Sequence, residues 1–314
     1  MQDQNKVTAT PMQIIAENNL NQKNNAIQPT LQDFQTPIMP TWCPGCGDYA
    51  IWSCLKQALV QQQLGPMDVL LCFDIGCNGN MVDKINAYCL KGLHGRVIPL
   101  AVGAHLANKD LPIIAIAGDG GTFDEGIQHF IHALRSNYRI TLILHNNCDF
   151  GLTTGQATPT TPSGQKMNSS PYGVVETRLN PIQLALSVGA TFVARGFTGN
   201  MSQLSELIKT GMQHDGFAYI DVLQHCPTYN DFQDLKWIKD RVYNIQEDSN
   251  YTNNREYAYK ISDYANEKIP LGVLYQDKAS VSYFNKLSYR KNYPGLLKDE
   301  VKKYDITESF KEFS

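Results

Sequence analysis

Long apolar runs, an excess of basic residues and an apolar leader are all missing from this sequence of 314 residues. No apolar run approaches the ~18 residues that a membrane-spanning helix needs, so the sequence predicts no membrane span. Lys and Arg number 27 against 30 Asp and Glu, for a net charge of −3. This balance excludes a typical nucleic-acid-binding domain, which needs a basic excess to neutralise phosphates. Because residues 1–6 carry no apolar stretch, we expect a cytoplasmic rather than a secreted protein.

Apolar runs alternate with helix-like segments between residues 39 and 235. Strands that alternate with helices of about 10–16 residues imply crossover connections, and therefore a mostly parallel, buried sheet. The sequence thus predicts an α/β fold in which helices flank the sheet. The predicted strands are 69–74, 96–100, 112–117, 140–144 and 217–223, and the predicted helices are 49–62, 124–136, 182–188 and 202–213.

Two flanking segments differ in composition from this central part. Residues 1–38 are rich in Asn and Gln, and we predict an N-terminal arm with one short helix near 12–19. Residues 236–314 are rich in Tyr, Lys, Asn and Asp with weak periodicity. They predict an extended C-terminal arm that carries a helix near 255–267. No second α/β domain is expected.

A glycine-rich turn, Gly118–Gly121, follows the clearest predicted strand. Thr122 and Glu125 have the spacing of a capping box, so a helix is expected to begin here. Free N–H groups and the helix dipole at such a turn favour a phosphate. Asp119 would repel that phosphate unless a cation lay between them. The turn therefore predicts a site for a phosphate group and Mg²⁺.

Asn146 and Asn147 follow the next predicted strand. Neighbouring parallel strands deliver their loops to the same carboxyl edge of a sheet, where α/β proteins bind ligands. This loop should therefore lie beside Asp119. An Asn amide oxygen and a loop carbonyl could complete the Mg²⁺ shell, together with phosphates and a water.

Eight cysteines in a chain that is not secreted suggest a metal, a cluster or buried thiols before disulfides. Cys43 and Cys46 form a C-x-x-C pair, and Cys77 and Cys226 each follow a predicted strand. Four thiolates from such loops could surround a [4Fe–4S] cluster or a zinc ion, and their spacing does not decide between the two. The remaining four, which we interpret as structural, are Cys54, Cys72, Cys89 and Cys148.

The Gly-Asp-Gly turn with the later Asn pair resembles the thiamin diphosphate motif. Together with the cysteine segments, it resembles the β subunit of 2-oxoacid:ferredoxin oxidoreductases. The matching segments stand in family order over residues 40–230. They are Pro40–Tyr49, Asp74–Cys77, Gly92–Pro99, the glycine-rich turn, Phe150–Pro162 and Cys226–Asn230.

This resemblance implies a thiamin diphosphate-binding fold and assigns roles to individual residues. Asp119, the side chain of Asn147 and the backbone carbonyl of Asp149 would hold Mg²⁺. The [4Fe–4S] ligands would be Cys43, Cys46, Cys77 and Cys226. The other residues assigned to the cofactor are Gly118, Gly120, Gly121, Thr122 and Gly151. His94 receives a polar active-site role, whereas His129 and His132 are interpreted as structural.

The implied reaction is the coenzyme A-dependent oxidative decarboxylation of a 2-oxo acid, either 2-oxoglutarate or a pyruvate-like acid. Electrons would pass through the cluster to ferredoxin or flavodoxin. Thiamin enzymes also need a glutamate against the aminopyrimidine, on a second domain that this chain is not expected to contain. The resemblance therefore implies a separate α subunit with the pyrimidine-binding domain, and no turnover by this chain alone.

Three positions depart from the family pattern without removing a proposed ligand. Gly121 stands where the family usually has an acidic residue, Asn146 where it has Asp, and Phe150 where it has Tyr. Two alternatives stay open: one half of a non-redox thiamin enzyme, and a zinc-stabilised phosphate-binding scaffold without activity. A nicotinamide-binding fold is disfavoured, because no G-x-G-x-x-G follows a strand.

Overall fold

A computed structural model describes residues 28–245, 252–290, 295–302 and 304–312. The helix predicted near 12–19 lies outside these residues. Within the described part of the N-terminal segment, Leu31–Phe34 forms a 3₁₀ turn. The Phe34 side chain at its end is completely buried in the core. This anchor fixes the segment that leads into the C-x-x-C motif.

One eight-stranded sheet organises the described residues, in the order β2-β1-β3-β4-β6-β5-β8-β7. The first six strands run parallel, whereas β8 is antiparallel to β5 and β7 is parallel to β8. The predicted mostly parallel α/β fold is therefore confirmed. The strands are β1 Leu70–Phe73, β2 Tyr88–Lys91, β3 Ile113–Gly118, β4 Thr141–Asn146, β5 Phe192–Phe197, β6 Ala218–Leu223, β7 Val242–Asn244 and β8 Ile269–Gln276.

Helices cover both faces of this sheet, which explains why its central strands are apolar on both sides. On one face α1 and α5 pack on the core, and on the other face α2, α3, α4 and α7 do so. The helices are α1 Asp48–Gln61, α2 Val97–Ala107, α3 Ile127–Ser136, α4 Pro181–Ser187, α5 Met201–Gln213, α6 Leu235–Arg241, α7 Arg255–Ile261, α8 Tyr283–Lys286, α9 Leu297–Val301 and α10 Thr307–Lys311. In the described residues, no helix has the length and apolar character to cross a membrane.

Four of the five predicted strands are confirmed, but the strand predicted at 96–100 is wrong. Helix α2 begins at Val97, so this segment is helical. Pro99 lies in the first turn of α2, where backbone N–H groups have no acceptor within the helix. The missing N–H of proline therefore costs no hydrogen bond at this position. A short apolar run looks the same in a buried helix as in a buried strand, which explains the error.

The part of the chain after residue 235 contributes β7 and β8 to the same sheet. The helix predicted near 255 is confirmed as α7, and it ends at Ile261, earlier than predicted. Ser262, its C-cap, is buried, and the chain turns through residues 263–268 before it enters β8. The division of the chain near residues 38 and 235 stays a prediction.

Candidate active site

The carboxyl ends of β3 and β4 meet, as the sequence predicted. Gly118 pairs in register with His145, so the loops that begin at Asp119 and Asn147 leave neighbouring strand ends. Both loops line one cavity at this edge, which we call the glycine-turn cavity. The predicted site residues that line it are Cys77, His94, Gly118, Asp119, Gly120, Gly121, Asn147, Asp149 and Gly151.

The glycine-rich turn is helical and passes into a π-helical turn over Gly121–Glu125. The glycines are sterically required: a Cβ on Gly120 would lie 2.2 Å from Phe150 Cε1, and one on Gly121 would lie 2.2 Å from Asp74 Oδ2. The capping box predicted for Thr122 and Glu125 is wrong, because Thr122 lies inside the π-helical turn. Its buried hydroxyl has no hydrogen-bond partner among the described residues.

Asp119 is buried, and threonine hydroxyls hold its carboxylate in place. Oδ2 accepts a 2.6 Å hydrogen bond from Thr158 Oγ1 and another from Thr160 Oγ1. Burial raises the pKa of Asp119 to about 6, and the threonine hydroxyls oppose that rise. Sequence reasoning missed these two partners, although they lie in the Phe150–Pro162 segment that carries part of the resemblance. A buried carboxylate is unfavourable unless its charge is compensated, and a bound cation would compensate it.

The loop after β4 folds back on itself through Asn147. Its Oδ1 accepts a 3.2 Å hydrogen bond from the Asp149 backbone N–H, and its carbonyl accepts one of 2.6 Å from Asn230 Nδ2. The Asp149 side chain is buried, and its carboxylate lies beside the Cys226 thiol. Burial raises the pKa of Asp149 to about 7. The loop thus brings further oxygen atoms to the cavity that Asp119 lines.

His94 lies against the glycine-rich turn. Its Nδ1 is 2.9 Å from Glu125 Oε1, and its ring meets the Phe150 ring edge-on at 5.7 Å. His94 Nε2 lies 3.1 Å from the position that a Cβ on Gly121 would occupy. Burial raises the pKa of the neighbouring Asp74, whose Oδ1 accepts a 2.9 Å hydrogen bond from Gly95 N–H. His94 is therefore oriented through one nitrogen, and the other faces the turn.

The four cysteines predicted as ligands lie in one region beside this cavity. A Cβ on Gly151 would be 3.6 Å from Cys77 Sγ and 3.7 Å from Cys226 Sγ, so these two sulfurs approach one point. Burial raises the pKa of each of these thiols to about 12. The charge of Cys43 contributes a smaller part of the rise at Cys77.

Cys46 belongs to the same region. Its pKa is raised, chiefly by burial and then by Asp48, with smaller parts from Cys77 and Cys226. Its Sγ also accepts a 3.3 Å hydrogen bond from Gln224 Nε2. Within the described ranges, no group of three or more His, Cys, Asp and Glu side chains is arranged to hold a metal ion. All eight cysteines are free thiols.

A buried pair that sequence reasoning missed also lines the cavity. His145 Nδ1 lies 2.7 Å from Asp48 Oδ1, and both side chains are almost completely buried. His145 Nε2 and Asp48 Oδ2 have no hydrogen-bond partner among the described residues. The only local signal was position, since Asp48 follows the C-x-x-C motif and His145 precedes the Asn pair. The two residues are 97 positions apart, so no local pattern joins them.

Comparison with known proteins agrees with this arrangement. Residues 74–222 match the family model of the C-terminal TPP-binding domain of thiamine pyrophosphate enzymes. Residues 226–292 match the family model of the C-terminal part of the pyruvate ferredoxin oxidoreductase beta chain. Together the two matches include every residue that lines the glycine-turn cavity except Asp48, and much of the chain that follows it.

Individual relatives extend the match over most of the chain. The 2-oxoacid:ferredoxin oxidoreductase subunit beta of Saccharolobus solfataricus is 38% identical, over 85% of this chain and 90% of that protein. The subunit beta of 2-oxoacid:ferredoxin oxidoreductase 2 from Aeropyrum pernix is 36% identical, over 84% and 88%.

A solved structure is also similar: the 2-oxoglutarate:ferredoxin oxidoreductase from Magnetococcus marinus, with 2-oxoglutarate, coenzyme A and succinyl-CoA bound. Its TM-score is 0.84 at 31% identity, and the match covers 92% of this chain and 98% of that chain. Sequence, fold and site geometry thus agree, and the chain belongs to the family of 2-oxoacid:ferredoxin oxidoreductase β subunits, with a thiamin diphosphate-binding domain at its centre.

Proposed function

We propose that this chain is the thiamin diphosphate-binding half of an enzyme that oxidatively decarboxylates a 2-oxo acid. The products would be acyl-CoA and CO₂, with ferredoxin or flavodoxin as electron acceptor. The observation that carries the proposal is the glycine-turn cavity, which Asp119, Asn147 and Cys77 line together. Under this proposal a phosphate-and-cation site would lie directly beside thiols that would hold a redox cluster.

The cavity fits thiamin diphosphate and Mg²⁺ by its shape and its oxygen atoms. A side chain at Gly120 or Gly121 would collide with Phe150 or Asp74, so only glycine fits where the turn lines the cavity. Asp119, the Asn147 side chain and the Asp149 carbonyl would provide oxygen ligands of the kind Mg²⁺ prefers. Bound thiamin diphosphate would supply the carbanion that attacks the ketone of the 2-oxo acid.

The proposal assigns a [4Fe–4S] cluster to Cys43, Cys46, Cys77 and Cys226. Backbone contacts bring these cysteines into one neighbourhood. Cys46 N–H donates to the Cys43 carbonyl, the Trp42 indole donates to the Cys77 carbonyl, and Gly47 N–H donates to the His225 carbonyl next to Cys226. The relatives that this chain matches are named as ferredoxin oxidoreductases, and ferredoxin is an electron carrier. Zinc has no redox chemistry, so an electron-transferring role for these thiols favours the cluster over zinc.

Metal analysis after anaerobic purification tests this assignment. We expect about four iron and four sulfide per chain, lost in Cys43→Ser and kept in the control Cys89→Ser. Cys89 lies on the edge strand β2 and does not line the cavity. One zinc per chain without sulfide would contradict the redox function, and the zinc-stabilised scaffold would then be the better interpretation.

His94 is assigned a polar active-site role under the same proposal. Glu125 orients its ring through Nδ1, and Nε2 lies at the glycine-rich turn. We expect His94→Gln to lower turnover about 10- to 100-fold with thiamin diphosphate still bound. His132→Gln provides a matched control, because His132 is exposed on α3. Equal turnover in the two variants would remove His94 from the active site.

Activity requires a partner under this proposal. The α subunit would carry the pyrimidine-binding domain, so the purified chain alone should not reduce viologen with any 2-oxo acid and coenzyme A. The co-expressed pair should do so, and 2-oxoglutarate is the first substrate to test because the similar structure has it bound. Turnover by the single chain would refute the subunit division. A cytoplasmic location belongs to the proposal, since cluster thiolates need a reducing compartment.

A further inference from the structure

A second cavity lies on the face of the sheet that α2, α3 and α4 cover, at the carboxyl ends of β4 and β6. We call it the arginine cavity; its volume is about 300 Å³, and the segment Ser262–Pro270 forms one wall. It shares no lining residue with the glycine-turn cavity. Its size falls within the range of small-molecule sites. The side chains that matter most in this cavity are Cys148, Arg178, Arg195, Trp237, Tyr264 and Ala265.

Arg195 lines this cavity and is 2% exposed. Its Nε donates a 2.7 Å hydrogen bond to Asp221 Oδ2, and Asn146 Nδ2 donates one of 2.9 Å to the other carboxylate oxygen. The two terminal guanidinium nitrogens of Arg195 have no acceptor among the described residues. Arg195 lines the cavity, so a ligand or a water there can accept hydrogen bonds from these two nitrogens.

Arg178 adds a second guanidinium to the same cavity. Its Nε donates a 2.6 Å hydrogen bond to the Thr160 carbonyl, and Nη2 lies 3.3 Å from Cys148 Sγ. Its guanidinium carbon lies 3.9 Å from the centre of the Tyr264 ring. Within the part of the chain that the structure describes, Arg178 has no carboxylate partner. Two guanidinium groups therefore share one buried carboxylate. The other charged lining residues balance, since Arg241 and Lys268 stand against Asp263 and Glu267, so the cavity keeps an excess of positive charge.

Aromatic and apolar side chains form much of the remaining lining. Trp237 lies on α6 and Tyr264 lies in the wall segment after α7, and Leu223, Ile238 and Pro270 add apolar surface. Aromatic walls with a few convergent polar groups are typical of sites for organic ligands. Guanidinium groups match carboxylate and phosphate oxygens through paired hydrogen bonds.

We propose that the arginine cavity binds a small organic anion, with a carboxylate or phosphate group on Arg178 and Arg195 and an apolar or aromatic body against Trp237 and Tyr264. This site is separate from that of the thiamin cofactor. It is connected to the cofactor site through Arg178, because the Thr160 carbonyl accepts from Arg178 while the Thr160 hydroxyl donates to Asp119. If the proposed function holds, anion and cofactor should each change the affinity for the other by the same factor.

Calorimetric titration of the full chain, purified without thiamin diphosphate, tests the site independently of the proposed function. The probes are benzoate, phenyl phosphate and inorganic phosphate. We expect one molecule of an aryl anion to bind per chain, with a change in tryptophan fluorescence that is lost in Trp237→Phe. The stronger of the two aryl probes identifies whether carboxylate or phosphate is preferred.

Two variants with different chemistry keep the test decisive. Arg178→Met should weaken binding roughly 10- to 100-fold by removing charge-assisted hydrogen bonds. Ala265→Trp should abolish binding by filling the cavity, and Ala279→Trp is its control, since both alanines are exposed and only Ala265 lines the cavity. Arg195 is left unchanged, because its loss would strand the buried Asp221 charge.

Three outcomes would overturn the proposal. One is that neither aryl anion binds at millimolar concentration. Another is that inorganic phosphate binds as tightly as phenyl phosphate to a site that Ala265→Trp removes, which eliminates the role of the aromatic wall. The third is that binding survives in both Arg178→Met and Ala265→Trp. A failure of the cluster or of turnover would leave this binding result standing, so the two proposals are tested separately.

Discussion

Two identical substitutions, Gly121→Ala and Gly103→Ala, should change stability in opposite directions. A Cβ on Gly121 would lie 2.2 Å from Asp74 Oδ2 and 3.0 Å from His94 Cδ2. Asp74 cannot move freely, because it is completely buried and its Oδ1 accepts a hydrogen bond from Gly95 N–H. In Gly121→Ala, overpacking costs about 1–3 kcal/mol, and the hydrogen bond to the Asp74 carboxylate is weakened as well. We therefore expect the free energy of unfolding to fall by about 2–4 kcal/mol.

Gly103 provides the matched control, because a Cβ there would meet no atom within 4 Å. It lies inside α2, where alanine is favoured over glycine by about 0.5–1 kcal/mol. At about 2–4 °C per kcal/mol, thermal unfolding followed by circular dichroism separates the two variants clearly. We expect Gly121→Ala to melt at least about 4 °C below the wild type, and Gly103→Ala slightly above it.

A melting temperature of Gly121→Ala at or above that of the wild type would refute this reasoning. It would mean that the Asp74 carboxylate and the π-helical turn are not held as closely as the structure describes. Thiamin diphosphate titration provides a second measurement. Gly121 lines the glycine-turn cavity and Gly103 does not, so only Gly121→Ala should weaken cofactor binding.

Three further predictions concern single residues. Burial, together with the Arg139 charge, lowers the pKa of His105 from 6.5 to about 4. Because the unfolded chain then binds this proton at a higher pH than the folded one, the folded protein loses stability as the pH falls from about 6.5 toward 4. Between pH 7 and pH 5 this effect lowers the free energy of unfolding by about 2 kcal/mol, and His105→Phe should abolish that decrease. Urea unfolding at the two pH values measures it, and the same pH dependence in the variant and the wild type would contradict the prediction. Asn137 has a left-handed backbone, and its buried side chain makes four hydrogen bonds. Asn137→Ala should therefore lower the free energy of unfolding by about 3–5 kcal/mol. A decrease below about 1 kcal/mol in the same assay would be inconsistent with that network. Asp119→Asn should weaken Mg²⁺-dependent thiamin diphosphate binding more than about 100-fold by calorimetry, and unchanged affinity would remove Asp119 from the metal site.

Continuous apolar runs make the centre of the fold predictable. Strands β3 and β4 are buried on both faces, so their sequences carry a signal that does not depend on distant residues. The polar residues that follow each run then locate the carboxyl edge, and with it Asp119 and Asn147. These two local signals are enough to predict that the two residues share one site.

Strand β5 shows what local patterns cannot reveal. Arg195 interrupts its apolar run, and its charge is compensated by Asp221 on the neighbouring strand β6. Read alone, an arginine in this position argues against a buried strand. The partners of Asp119 are hidden for the same reason, since Thr158 is 39 positions away in the chain. Pairs of polar residues that satisfy each other across the fold need the fold itself to be recognised.

The antiparallel pairing of β8 with β5 has a consequence for how the protein is made. All six residues of β5 are buried, yet one edge of this strand is covered by β8, which is synthesised after the other seven strands. Until β8 leaves the ribosome, a nascent chain presents a largely apolar strand with open hydrogen-bonding groups, which is a template for aggregation. Expression of fragments that stop before residue 269 should therefore yield insoluble protein, and chaperone demand should end only when the last sheet strand is complete.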